Sequence, residues 1–288
     1  MNFKFSKHKR SISDFLLNSL VYVISLATFF VLIYIIFYIF SNGLKKISWN
    51  FISQKYSEGK SENGILPMII NTIYTVVITI LISFPFGFGT ALYTTQYSRN
   101  GIFRKVISFS SDVLSGIPSI IFGIIGYSIF CVNFGLGTSI LSGCLTMALC
   151  ILPTIVRTSE EALRKVPNDY KEAALSLGAK RLRILFTVII RTSIPELLSS
   201  LALYIGKILG ESAIFIYTIG MGYMMPKNIL SHIFSSGRTL TLHLYQIAKQ
   251  ANTSDSLEIT FAVSSILILF IFLVNVCLNV LYKRIKHK

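Results

Sequence analysis

Charge is what this sequence has least of. Of its 288 residues only 14% are Asp, Glu, Lys or Arg, against roughly 25% in a soluble domain, and just 12 are acidic. So few polar groups cannot coat a water-soluble globule. Disorder is excluded as well, because Phe, Tyr and Trp reach 13% and disordered chains are poor in aromatics and rich in charge. Cysteine is sparse, and Cys131, Cys144, Cys150 and Cys277 fall in or at the ends of apolar stretches without CxxC spacing or His partners. That pattern gives buried free thiols, with neither a disulfide framework nor a metal site. The chain also lacks a GxxxxGK[ST] phosphate loop, an HExxH pair and any soluble domain to hold paired carboxylates. No cofactor or catalytic centre is expected, and energy for uphill movement must come from another protein.

What is present is apolar. Hydrophobic residues make up 53% of the chain and the mean hydropathy is +0.67. A bilayer core of ~30 Å needs ~20 helical residues at ~1.5 Å each. Six stretches qualify: Phe15 to Phe40, Met68 to Tyr93, Val106 to Phe130, Gly137 to Val156, Val188 to Gly220 and Ile259 to Tyr282. The first follows a basic start but is far longer than a ~7 to 15 residue signal core and has no small-residue cleavage site, so it stays as an anchor. The expected fold is all-α: a polytopic membrane protein of six transmembrane helices. Residues 1–14 and 283–288 form tails around a transmembrane domain over 15–282.

An even number of spans leaves both ends on one side. The formal charge is +15, and its distribution tells which side that is. Nineteen Lys and Arg fall on the side of the termini and seven on the other, so both termini are expected in the cytoplasm. The excess therefore reports orientation rather than a nucleic acid. On the same side lies a polar loop, 157–187, with helical pattern. Thr158 with Glu161, and Asp169 with Glu172, have capping-box spacing; Pro167 ends the first helix, and Gly178 supplies the position after the second. Between them Tyr170, Ala173, Ala174 and Leu177 follow i, i+3, i+4, i+7 spacing and make one shallow apolar face. That face either packs on the chain's own spans or is offered to a cytoplasmic partner.

Glu172-Ala173-Ala174, then three residues, then Gly178, between the fourth and fifth spans, resembles the EAA motif of membrane subunits of ATP-binding-cassette importers. Ser159 to Pro167 and Leu177-Gly178-Ala179 match it too. The resemblance implies the type I importer permease fold, with coupling helices that dock Asp169, Tyr170, Glu172, Ala173, Ala174, Leu177 and Gly178 on an ATPase. Gly116-Ile117-Pro118-Ser119-Ile120 with Gly123, Leu66-Pro67-Met68-Ile69 with Asn71-Thr72, and Gly210-Glu211-Ser212-Ala213 resemble the phosphate-specific importer, the last most of all its PstA-type subunit. The likeness covers about residues 64–220, with a weaker echo at 242–248.

Lys207 and Glu211 are the ionisable pair of the fifth span. Counted from Ser193, they lie ~21 Å and ~27 Å along a helix. Spaced i, i+4, they either close on each other and settle helix rotation, or Lys207 presents its cation to an anion while Glu211 holds it. In the resembling family an Arg usually stands at the Lys207 position; lysine attracts phosphate as a point charge but without the bidentate fork. Ala202, Gly206 and Gly210 have the spacing of close helix contact, within the chain or with a second membrane subunit. Pro118 frees the carbonyl of Leu114 and should kink the third span, lining a path or fitting the packing. Asp112 has no assigned role.

Together these readings imply a non-enzymatic permease subunit of the prokaryotic inner membrane that carries inorganic phosphate into the cytoplasm. The implied partners are cytoplasmic ATP-binding-cassette ATPase subunits, a second homologous (PstC-like) permease subunit, an extracytoplasmic phosphate-binding protein and membrane lipid. Two alternatives remain open: the same architecture with molybdate, sulfate or another solute, and a secondary transporter acting alone, which would show an inverted repeat.

Overall fold

The computed structural model describes residues 12–56, 64–97, 101–226, 228–250 and 254–286, and all regular structure among them is helical. Lys4, Lys7, Lys9, Arg10, Lys60, Arg99, Lys227 and Lys288, counted above for orientation, lie outside the described residues. The helices are α1 (Ile12–Gly43), α2 (Trp49–Ser53), α3 (Leu66–Leu92), α4 (Ile102–Gly116), α5 (Ser119–Gly126), α6 (Ile140–Arg164) and α7 (Asn168–Ser176). After these come α8 (Arg181–Ile184), α9 (Ile190–Gly210), α10 (Ala213–Thr218), α11 (Ile229–His232), α12 (Leu240–Lys249) and α13 (Ser254–Lys286). Wider π turns extend α3 through Tyr97, α5 through Asn133 and α8 through Ile189.

Five of these helical stretches are long and apolar enough to cross a membrane, and a sixth is obtained if α4 and α5 count as one. The core is the seam between α3 and α6, and its polarity is the reverse of a soluble core. Asn71, Thr72, Thr75, Thr79 and Ser83 are buried on one face of α3, while Ile73, Val77 and Leu81 point outward. In lipid no hydrophobic force favours burying leucine, so small and hydroxylated residues take the helix contacts. Three of the hydroxyls donate one turn back, Thr72 to the Met68 carbonyl at 2.7 Å, Thr75 to that of Asn71 at 2.8 Å and Ser83 to that of Thr79 at 2.7 Å, while the Thr79 hydroxyl has no hydrogen-bond partner among the described residues. The seam is tight: a Cβ on Gly87 would stand 2.6 Å from the Ile155 side chain. Met147, Ile151, Ile155, Tyr204, Ile208 and Phe215 continue this core across α6, α9 and α10.

Near its end α1 meets α13, where the Tyr38 and Phe261 rings lie 5.5 Å apart edge to face and Ser265 donates to the Ile39 carbonyl at 3.3 Å. Thus α1 finishes and α13 begins at one end of the bundle, beside Phe51, Ile65 and Leu240. α7 lies at the opposite end, against Leu163, Val166 and Ile184.

Three expectations are corrected, and the kink expected at Pro118 is present as a sharp break: α4 and α5 meet at 100°. Ile117 and Pro118 are both extended (ψ 128° and 138°), because a proline pushes the residue before it out of the α region and offers no N–H to Leu114. The Leu114 carbonyl accepts from Ile117 N instead, at 3.3 Å. Thr158 is no helix cap, since α6 runs through it to Arg164 and its hydroxyl donates to the Thr154 carbonyl at 2.9 Å. Asp169 caps nothing either; α7 starts after Pro167, whose fixed φ of −58° sets the first turn without a side-chain bond. Finally, the fifth span ends at Gly210, and Glu211 (ψ 126°) turns the chain toward α10. Between α5 and α6 the chain turns tightly at 134–138, with Gly135 and Gly137 at φ +69° and +59°.

Candidate functional site

The ionisable residues of the spans converge on one cavity of 350 Å³ enclosed by the α4–α5 break, α6 and α9. Its wall includes Ser115, Thr154, Arg157, Thr158, Glu161 and Lys207. The α6 contributions are a consequence of spacing: 154, 157, 158 and 161 are one stripe of an α-helix. Thr154 is ~21 Å along α6 from Ile140, near the middle of a bilayer-length helix. Lys207 Nζ reaches its hydroxyl from α9 at 3.4 Å.

Lys207 has no ion pair among the described residues. The expected Lys207–Glu211 bridge is not made. With the helix ended at Gly210, the Glu211 carboxylate bends forward and accepts from the backbone N–H groups of Ala213 (2.9 Å) and Ile214 (3.3 Å). It thereby caps α10, satisfying donors that a helix start otherwise leaves open. α10 in turn rests on α5, where Gly123 brings a would-be Cβ to 3.0 Å from the Ala213 carbonyl. Glu211 therefore shapes the wall from behind, and Lys207 keeps its charge for the cavity.

Arg157 is the residue that sequence reasoning missed, having been read only as an orientation signal. Its guanidinium donates to the Asp112 carboxylate across the α4–α6 gap. Both side chains are about half exposed (52% and 58%), and an ion pair of that kind contributes ~0 to 1 kcal/mol. It can exchange its carboxylate for a diffusing anion at small cost. The signal was available: Thr154, Arg157, Thr158 and Glu161 put four polar groups on one helix face where apolar ones prevail. Pro118 is not among the lining residues; its contribution is the break that turns Leu114, Ser115 and Ile117 to the cavity.

The second feature is α7. Its end is closed by a Schellman motif, in which Ala179 N donates to the Ala174 carbonyl (3.1 Å) and Gly178 N to that of Leu175 (2.8 Å). The motif needs a left-handed residue, and Gly178 has φ +76°. The expected four-residue face divides. Ala174 is half-buried against the cluster of Leu163, Val166 and Ile184, so the helix is fixed to its own bundle. Tyr170 and Leu177 are 54% and 88% exposed, and Asp169, Glu172 and Ala173 are exposed beside them.

Known proteins are similar to this chain over most of its length. A "Probable ABC transporter permease protein YqgI" of Bacillus subtilis is 31% identical over 263 residues, covering 86% of this chain and 89% of its own. A "Phosphate transport system permease protein PstA" of Pasteurella multocida is 27% identical over 283 residues, covering 96% and 97%. Among solved structures, a bacterial alginate ABC transporter in complex with an alginate-bound periplasmic protein superposes with TM-score 0.68 at 15% identity over 96% of this chain and 98% of the matched one. An inward-facing MetNI methionine ABC transporter gives TM-score 0.60 at 17% identity over 77% and 94%. At those identities the structures speak for the fold alone. Residues 83–288 match the model of the binding-protein-dependent transport system inner membrane component, and to that family this chain belongs.

Proposed function

We propose that this chain is one membrane-spanning half of an ATP-driven importer for inorganic phosphate. The observation that carries the reading is the convergence of Lys207 and Arg157 on one polar cavity beside Thr154, in a chain several of whose relatives bear a phosphate permease name. A cation in the membrane middle costs roughly 2.5 to 3.5 kcal/mol on insertion scales and faces a partner or water. Here it faces a cavity with hydroxyls on either side, the environment an oxyanion needs to shed water without being bound irreversibly. Phosphate is held first by Lys207 and Thr154; it then passes to Arg157 as that guanidinium releases Asp112, one helical turn nearer α7.

The chain itself hydrolyses nothing in this scheme. ATPase subunits grip Tyr170, Ala173 and Leu177 on α7, with Asp169, Glu172 and Gly178 around them, and transmit closure through Ala174 to the helix cluster beneath. α7 and both termini face the cytoplasm of a prokaryotic cell. A second, PstC-like permease closes the open side of the cavity, and a phosphate-binding protein delivers the ion at the far end. Gly206 and Gly210 support the pairing, since a Cβ on either meets nothing within 4 Å of this chain. The test is uptake of labelled phosphate by vesicles holding the reconstituted transporter, ATP and the binding protein. Transport of sulfate or molybdate with phosphate excluded would remove the substrate assignment; accumulation without ATP would remove the coupling.

A further inference from the structure

The end of the bundle opposite α7 carries a second charged centre. Arg238, just before α12, is only 5% exposed. No carboxylate pairs with it among the described residues. Its Nη1 lies 3.3 Å from His243 Nδ1 and its Nη2 donates to the Met221 carbonyl at 3.2 Å, while Nε is buried and has no partner. The guanidinium stands over two phenol rings, 5.8 Å from the centre of Tyr56 and 6.0 Å from that of Tyr223. Cation–π contact offsets part of the cost of burying it but leaves a net positive charge. His243 does not add to or relieve that charge, because burial and the neighbouring guanidinium push its pKa down to about 3.

Tyr56 and Tyr223 are also a wall. On their other side is a cavity of 630 Å³ that Lys55, Ser231, His232 and Ser235 help to line. Neither phenol hydroxyl has a hydrogen-bond partner among the described residues. His232 is held as a fixed element: its Nε2 is 2.7 Å from Asn71 Oδ1, and Asn71 Nδ2 donates to the Arg238 carbonyl at 3.2 Å. Burial lowers the His232 pKa, so it adds no charge at neutral pH. The cavity thus combines a lysine, two phenols without a hydrogen-bond partner among the described residues, and a nearby guanidinium that none of the described carboxylates pairs.

We infer that this cavity is a receiving site for a small oxyanion, held by the Lys55 ammonium and the hydroxyls of Tyr56 and Tyr223 in the field of Arg238. The inference rests on the import reading and adds a stage before the Lys207 cavity. The two are connected through the chain, since the Thr241 hydroxyl, three residues past Arg238, donates to the Leu209 carbonyl, two residues past Lys207.

The experiment uses the whole transporter in lipid nanodiscs and inorganic phosphate as the probe. Ser231→Cys places a thiol on the cavity wall in a Cys277→Ser background, the three other cysteines being buried. Labelling by a charged maleimide is followed on this chain by mass spectrometry. Phosphate at about ten times its dissociation constant should slow labelling about tenfold. That protection should persist with Lys207→Gln, which removes the central cation, and be lost with Lys55→Gln or Tyr223→Phe. Labelling unaffected by phosphate, equal protection by sodium chloride of the same ionic strength, or protection surviving both Lys55→Gln and Tyr223→Phe overturns the site. Uptake by the unmutated transporter separates the two readings: phosphate imported without protection ends the receiving site and leaves the importer standing.

Discussion

Lys207 and Thr154 face each other across the α6–α9 seam, ammonium to hydroxyl at 3.4 Å, and Glu211 takes no part in that contact. A lysine that keeps its charge for a neutral hydroxyl is poised for an anion rather than satisfied by one. Lys207→Gln should therefore lower phosphate uptake at least about tenfold, the loss of one charge-assisted contact of about 1.4 kcal/mol or more, while the transporter assembles normally. Uptake rates and co-purification of the subunits check both halves of that statement.

Glu211 separates two pictures of the fifth span. As a cap of α10 its truncation in Glu211→Ala should cost about 1 kcal/mol of stability, whether or not Lys207 is present. A double-mutant cycle with Lys207→Met, read by thermal unfolding in detergent, should give a coupling below about 0.5 kcal/mol. A larger coupling would restore the ion pair.

Arg157 and Asp112 should be separable. Asp112→Asn removes the competing carboxylate and frees the guanidinium, so phosphate should be bound more tightly and released more slowly. Arg157→Gln should lose both binding and transport. Single-turnover uptake distinguishes slow release from lost binding.

On α7, Leu177→Asp and Tyr170→Ala alter side chains that touch little of their own bundle, so the permease should insert and fold as before while the ATPase no longer co-purifies. Gly178→Ala acts differently. Nothing lies within 4 Å of the added methyl, and the expected cost of about 1 kcal/mol comes from φ +76° alone. Hydrogen exchange should then show fraying confined to the last turn of α7.

The buried imidazole beside Arg238 gives a pH test. The His243 pKa is about 3 when folded against 6.5 as its ordinary value, so the unfolded segment binds the extra proton between those values. Stability contributed there is present above pH 6.5 and is lost as pH falls toward 3, by up to about 1.4 kcal/mol per pH unit. Arg238, Lys55 and the largely neutral His232 are basic groups of that end, with Lys249 on α12 itself. Protection of α12 amides, taken relative to the intrinsic exchange rate at each pH, should fall on acidification to pH 5, and His243→Phe should abolish that dependence.

The spans were legible because lipid imposes one rule, a long apolar run, and α1, α3 and α13 obey it within about five residues, while α6 runs on past the apolar stretch from Val156 to Arg164. The uncovered face of α7 was legible because Gly178 and the alternation of Tyr170, Ala173 and Leu177 act locally. What escaped depends on contacts distant in sequence. Pro118 announced a bend but not its 100°, which is held by Gly123 against α10. Glu211 looked helical because no proline or turn signal follows Gly210; its role follows from the two N–H groups it meets once the helix stops. The Arg238 centre gathers residues 56, 71, 223, 232 and 243, and no periodicity joins them. Thr158 and Asp169 mislead for the opposite reason, since capping-box spacing also occurs inside helices that packing has already fixed.

The first helix has a consequence of its own. None of its most apolar window is buried by the chain, and its apolar stretch from Phe15 to Phe40 is ~39 Å long at ~1.5 Å per residue, against ~30 Å of hydrocarbon. The surplus must be absorbed by leaning or by thickening the surrounding leaflets. The thickness of the host bilayer thereby biases how far α1 leans, within what its contact with α13 at Tyr38 and Ile39 permits.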